Sequence, residues 1–166
     1  DPRTGVLYNF YESIQYTDAA GSAVVFARFE VVRSTDGGVT WSGPTVVATD
    51  SSVQPVNPNT GQPLRTGFGL PFPAIDPRTG ELYMAYEGSD FTGGRYNQIQ
   101  LVHSTDRGRT WTPPVRVNAD PTVPAFTPSI AVTTAGDVGV TYYDLRTLRP
   151  GNTTTLPTST WLTVSP

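Results

Sequence analysis

The sequence has no cysteine, no lysine and a single histidine, His103. Without thiols there is neither a disulfide framework nor a thiolate metal site. One imidazole offers no catalytic dyad and no metal cluster, so neither a metal nor a cofactor is expected. Charged residues make up only 15% of the chain, the net charge is −3, and no basic run is present. Nucleic acid is therefore not an expected partner. No apolar run approaches the roughly 18 residues that a membrane-spanning helix needs. No segment holds an apolar period of 3.6 residues, which argues against helices. A glycine-rich phosphate loop and a Ser/His/Asp arrangement are both missing, and no signal peptide is visible after Asp1.

Glycine and proline are abundant, at 16 each among 166 residues. That composition fits many short strands joined by turns. The basic residues are all arginines, whose planar forks suit carboxylate groups. Asn152-Thr153-Thr154 matches a glycosylation sequon by pattern.

Two phrases recur. Ser34-Thr35-Asp36-Gly37-Gly38-Val39-Thr40-Trp41 and Ser104-Thr105-Asp106-Arg107-Gly108-Arg109-Thr110-Trp111 both fit S-x-D-x-G-x-T-W. Each lies between two apolar runs, as a tight hairpin turn would. The Ser and Asp oxygens can bond the turn's own N–H groups, Gly supplies the unusual φ, and the Trp ring is expected to bury beneath the turn. A calcium loop is not expected here, because the further carboxylates, including a closing Glu, are missing. The second phrase, Asp1-Pro2-Arg3-Thr4-Gly5, returns as Asp76-Pro77-Arg78-Thr79-Gly80. Each copy is a turn followed by an alternating strand. Repeats of this length built from short strands predict propeller blades.

The S-x-D-x-G-x-T-W phrase resembles the Asp-box of the bacterial neuraminidase repeat, found in sialidases and other β-propellers. The resemblance implies an all-β propeller of four-stranded antiparallel blades, with strands A to D running outward from the axis. The chain then reads as a partial propeller of about two and a half blades. Blade 1 covers about 1–50, blade 2 about 70–118 and blade 3 about 126–166, with truncation at both ends. Predicted strands fall at 6–12, 23–33 and 45–49; at 72–75, 81–87, 97–103 and 115–118; and at 128–132, 138–144 and 158–164. Ser165-Pro166 align with the start of a third Asp-box. Ten strands do not close a ring of about 4–8 four-stranded blades, so the remaining blades of the same propeller are expected partners.

In that family the Asp-box is structural and lies away from the substrate face. The resemblance therefore gives Ser34, Asp36, Gly38, Thr40 and Trp41, and likewise Ser104, Asp106, Gly108, Thr110 and Trp111, a scaffolding role. The opposite face collects the loops 13–22, 50–69, 88–95, 119–126 and 145–157. Aligning the second strand of each blade brings Tyr11-Glu12, Tyr86-Glu87 and Tyr143-Asp144 to matching positions at that rim. Glu12, Glu87 and Asp144 are thus candidate acids, bases or sugar-hydroxyl acceptors, or else solvated strand ends and partners for arginine.

Sialidases hold a substrate carboxylate with three arginines and use a Tyr/Glu pair with an Asp acid/base. The Arg-Ile-Pro phrase that carries the first of those arginines does not occur here. Arg146 in Tyr142-Tyr143-Asp144-Leu145-Arg146 is the best-placed substrate-binding candidate, followed by the loop residues Arg95, Arg65 and Arg149. The resemblance implies a secreted or extracellular protein whose partner is a glycan or glycoconjugate, with glycoside hydrolysis the expected activity. A non-catalytic propeller binding glycan or protein, or a structural segment of a larger extracellular protein, remains open.

Overall fold

The structure is a computed structural model and describes residues 1–165. The proposed second position of a third Asp-box, Pro166, lies outside the described residues. Ten strands build three antiparallel sheets. The first contains β1 (Leu7–Tyr16), β2 (Val24–Ser34) and β3 (Thr45–Thr49), in that order. The second contains β4 (Phe72–Ile75), β5 (Leu82–Gly88), β6 (Gln98–Ser104) and β7 (Val115–Arg116). The third contains β8 (Ala125–Val132), β9 (Val138–Asp144) and β10 (Ser159–Ser165). Strand order follows chain order within every sheet, as in propeller blades: the chain is a sector of a β-propeller.

Alternation along β5 explains how the sheets stack. Met84 and Tyr86 face the first sheet and join Phe29, Val31, Val47 and Val102 in one core. Ala85, on the opposite face, joins Ile99, Ala125, Val138, Val140 and Tyr142 in a second. The middle sheet is therefore covered on both sides, and burying each large side chain there contributes roughly 1.5–3 kcal/mol. Phe29 and Tyr86 meet with ring centroids 5.1 Å apart, locking the first two sheets together.

Three details depart from the sequence reading. β1 runs on to Tyr16, so Ser13 to Tyr16 belong to a long hairpin with β2, and Glu12 sits within a strand instead of at its exit. A short 3-10 turn, Asp90–Thr92, interrupts the second sheet's B–C loop. The Trp rings are not equally buried. Trp111 meets Phe10 of the first sheet edge-on at 5.8 Å. Trp41 lies 44% exposed, because no sheet of this chain packs over its side of the first blade.

Candidate functional site

Register separates the two rims. At one end Leu7 pairs with Ser34, and Leu82 with Ser104, so both S-x-D-x-G-x-T-W turns lie there. Glu12 pairs with Phe29 and Glu87 with Ile99, five residues further along each strand, on the order of 16 Å toward the other rim. Asp144 pairs with Ser159 at the corresponding end of the third sheet. The three carboxylates thus lie toward the rim opposite the turns, but each has its own set of partners and they form no common cluster.

The turns themselves are closed by their own side chains. Thr40 donates to Asp36 from both its N–H (2.9 Å) and its hydroxyl (2.6 Å), and the Ser34 hydroxyl adds a bond of 2.7 Å. The Gly38 N–H donates to Ser34 Oγ at 2.9 Å. Thr110, Ser104 and Gly108 repeat this pattern around Asp106. The bonds from Thr40 hold Asp36 down to about 2, and those from Thr110 hold Asp106 well below the usual carboxylate range.

Asp144 is fully buried, and its neighbours explain why it is tolerated there. Arg146 Nε and Nη2 reach its Oδ2 at 2.6 and 2.5 Å, and Trp161 Nε1 donates to Oδ1 at 3.0 Å. The guanidinium also lies 3.6 Å from the Trp161 ring centroid, a cation–π stack. Pairing with Asp144 raises Arg146 above its ordinary value. Arg146 nonetheless keeps 22% of its side chain exposed at the rim, although its Nη2, turned to Asp144, is buried.

Glu87 is buried completely. Its Oε1 accepts the Thr127 N–H at 2.9 Å and its Oε2 accepts Asn97 Nδ2 at 2.9 Å. Burial pushes it above its ordinary value, and the hydrogen bonds from Thr127 and Asn97 oppose that shift. Its geometry is that of an anchor for the start of β8. Glu12 is half-buried against Gly69, and desolvation together with Asp50 raises it to about 7.

The arginines of the loops are freer. Arg95 is exposed, donates to the Thr92 carbonyl at 3.1 Å and lies beside a cleft of about 110 Å³ with Tyr96 and Phe126. Arg65 is exposed on the connection 50–71, and Arg149 on the last loop.

That connection contains an element the sequence reading missed. Asn57-Pro58-Asn59-Thr60-Gly61 is a third copy of the Asp-Pro-Arg-Thr-Gly turn, with Asn57 in place of Asp and Asn59 in place of Arg. In all three the third residue's N–H bonds the Asx side chain, and the final Gly N–H bonds the first carbonyl. Here the turn closes a small hairpin through the Val56–Pro63 bridge. Asn59 at its tip donates to the carbonyls of Arg149 and Asn152, at 2.9 and 3.0 Å. The connection is therefore a strap that leaves the first blade and docks on the loop holding Arg146's neighbours. Scoring Asn and Asp as equivalent at Asx turns would have found it.

Among the described residues no group of three or more His, Cys, Asp or Glu could hold a metal ion, and no helix is long and apolar enough to cross a membrane.

The profile of a family described as BNR repeat-like domain matches residues 5–161. A sialidase from Micromonospora viridifaciens is 32% identical over 123 residues, 67% of this chain and 17% of the sialidase. The solved structure of a Hadza microbial sialidase, Hz136, superimposes with a TM-score of 0.59 at 19% identity, over 98% of this chain and 33% of that one. A protein of unknown function from Dyadobacter fermentans gives a TM-score of 0.56 at 21% identity, over 84% of this chain and 40% of that one. The chain thus spans well under half the length of each of these relatives.

Proposed function

The chain belongs to the BNR repeat-like domain family, and we propose that it is part of a secreted sialidase-like propeller that acts on glycans, its activity the hydrolysis of a glycosidic bond. In this reading its three blade segments cover about 1–50, about 70–118 and about 126 onward. The observation that carries this reading is Arg146: a guanidinium oriented by Asp144, stacked on Trp161 and still open at the rim opposite the Asp-boxes. Its Nε and Nη2 are taken up by Asp144, which leaves Nη1 as the group that can donate to a carboxylate or a sugar hydroxyl. Arg95 and Arg65 add exposed cations on the loops of the same face. The sialidase relative makes a glycan the favoured ligand class.

A second reading has its own support. Both oxygens of Glu87 and of Asp144 are committed to hydrogen bonds inside the protein. A propeller sector built this way fits a non-catalytic glycan-binding role; of the three candidate carboxylates Glu12 alone is half-exposed, and its acid is raised to about 7.

The test is turnover and binding by the intact protein on sialosides and a neutral and acidic glycan panel. Release of a reducing sugar supports the hydrolase, and saturable binding without release supports the binding reading. Neither activity nor binding on any glycan removes both.

A further inference from the structure

The two Asp-box turns are not chemically alike, and the difference converges on one place. Where the first turn has Gly37 and Val39, the second has Arg107 and Arg109. Gly37 occupies a backbone φ of 74°, which glycine adopts freely. Arg107 occupies the same region, at φ 64°, although a residue with a Cβ is strained there. Such strain is usually kept where the side chain has work to do.

Both arginines line a cleft of about 420 Å³ between the first blade and the second blade's turn. Arg33 lines it too, from the first blade, directly across β1 from Tyr8. Among the described residues none of these three arginines makes an ion pair with a carboxylate. Asp106 accepts bonds from the turn's own N–H groups and Thr110, and Arg109 Nη1 reaches only the Asp106 carbonyl, at 3.2 Å. Three unpaired cations therefore share one hollow in a chain of net charge −3. Tyr8, in the same wall, has a buried hydroxyl with no hydrogen-bond partner.

We propose that this interblade cleft, on the Asp-box face, binds an oxyanionic group of a glycan, a sulfate ester or a uronate carboxylate. Arginine forks match both groups in geometry and charge. Val6 adds apolar surface on which the C–H face of a sugar ring can rest. The cleft is a half-open hollow between two blades and not a basic track along the surface, which favours a single charged sugar over the backbone of a nucleic acid. The site is separate from the Arg146 rim, so the two readings stand or fall independently.

The first blade supplies the control. Arg107→Gly with Arg109→Val writes the first turn's residues into the second, and the relief of strain at position 107 keeps the fold intact. Titration of the intact protein, by calorimetry, should use a sulfated hexasaccharide, a hexagalacturonate, a neutral hexasaccharide, inorganic sulfate and a short single-stranded DNA. The expected result is binding of at least one acidic oligosaccharide, weakened more than about tenfold in the double variant, with a native melting temperature. Equal binding by the double variant, equal affinity for the DNA or the neutral sugar, or binding of inorganic sulfate alone would each overturn the proposal, as would binding by none of the probes.

Discussion

Glu87 of the second blade accepts the N–H of Thr127, a residue of the third blade held at a φ of 51°. Thr127 lies where the register of β8 against β9 shifts, between Phe126 and Ser129. The carboxylate thus pins a strained bulge at the start of the next blade's inner strand, and a buried charge is tolerated because two N–H donors meet it. Glu87→Ala should cost about 2–4 kcal/mol, because the Thr127 N–H and the Asn97 amide lose their acceptor in a dry site. Chemical denaturation gives the magnitude. Amide exchange at Thr127 should accelerate more than in β2, and uniform acceleration would contradict the anchoring role.

The Glu12–Asp50 pair sets a pH dependence of definite sign. Glu12 titrates near 7 in the folded chain against 4.5 ordinarily. The folded state therefore holds its proton more tightly, and the stabilisation is complete below about 4.5 and lost as pH rises through 7. Melting temperatures should fall over that interval. Glu12→Gln should flatten the profile there, and an unchanged profile would remove the pair as its source.

The Asp-box aspartates act in the opposite direction. Asp36 sits near 2 against 3.8, so its contribution is present above 3.8 and lost as pH falls toward 2. Asp106→Ala should lower the melting temperature by a few degrees and leave binding at the Arg146 rim unaltered. A variant that melts normally but fails to bind glycan at that rim would contradict a purely scaffolding turn.

The strap should come loose at its tip. Asn59→Ala removes two donated bonds, at 2.9 and 3.0 Å, and should cost about 1 kcal/mol. Faster exchange should appear in residues 149–152 and leave the second core untouched. No local change would mean that the strap is held elsewhere.

Strand phase was legible because punctuation in this chain is chemical and repeated. The Asp-Pro-Arg-Thr-Gly and Asp-box turns fix where strands begin, and β3, β4 and β9 fall where the sequence places them. What could not be read is what strands and loops bring together at long range. Nothing local marks Asp50 as Glu12's neighbour, or Trp161 as the platform for Arg146. The extra length of β1 is written in the alternation of Ser13, Ile14, Gln15 and Tyr16, but Ile14 and Tyr16 stay exposed at the tip of the hairpin, so no core contact marks the strand's end. The exposure of Trp41 depends on which sheet packs beside it, which the turn sequence does not encode. Burial of Glu87 was equally silent, since a buried and an exposed Tyr-Glu strand end have the same spelling.

The central claim is that Arg146 presents an oriented cation to a glycan. Arg146→Ala is a poor probe, because it strands a fully buried Asp144 and should itself cost about 3–5 kcal/mol. Arg146→Lys keeps a cation for Asp144 while losing the planar fork and the stack on Trp161. The most direct measurement is the affinity of the intact protein and of this variant for the best ligand of the glycan panel, below both melting temperatures. The account predicts that affinity falls by about tenfold or more, a loss of about 1.4 kcal/mol or more, while the variant stays folded. Unchanged affinity in a folded Arg146→Lys protein would contradict it and leave Arg146 as a clamp for Asp144 alone.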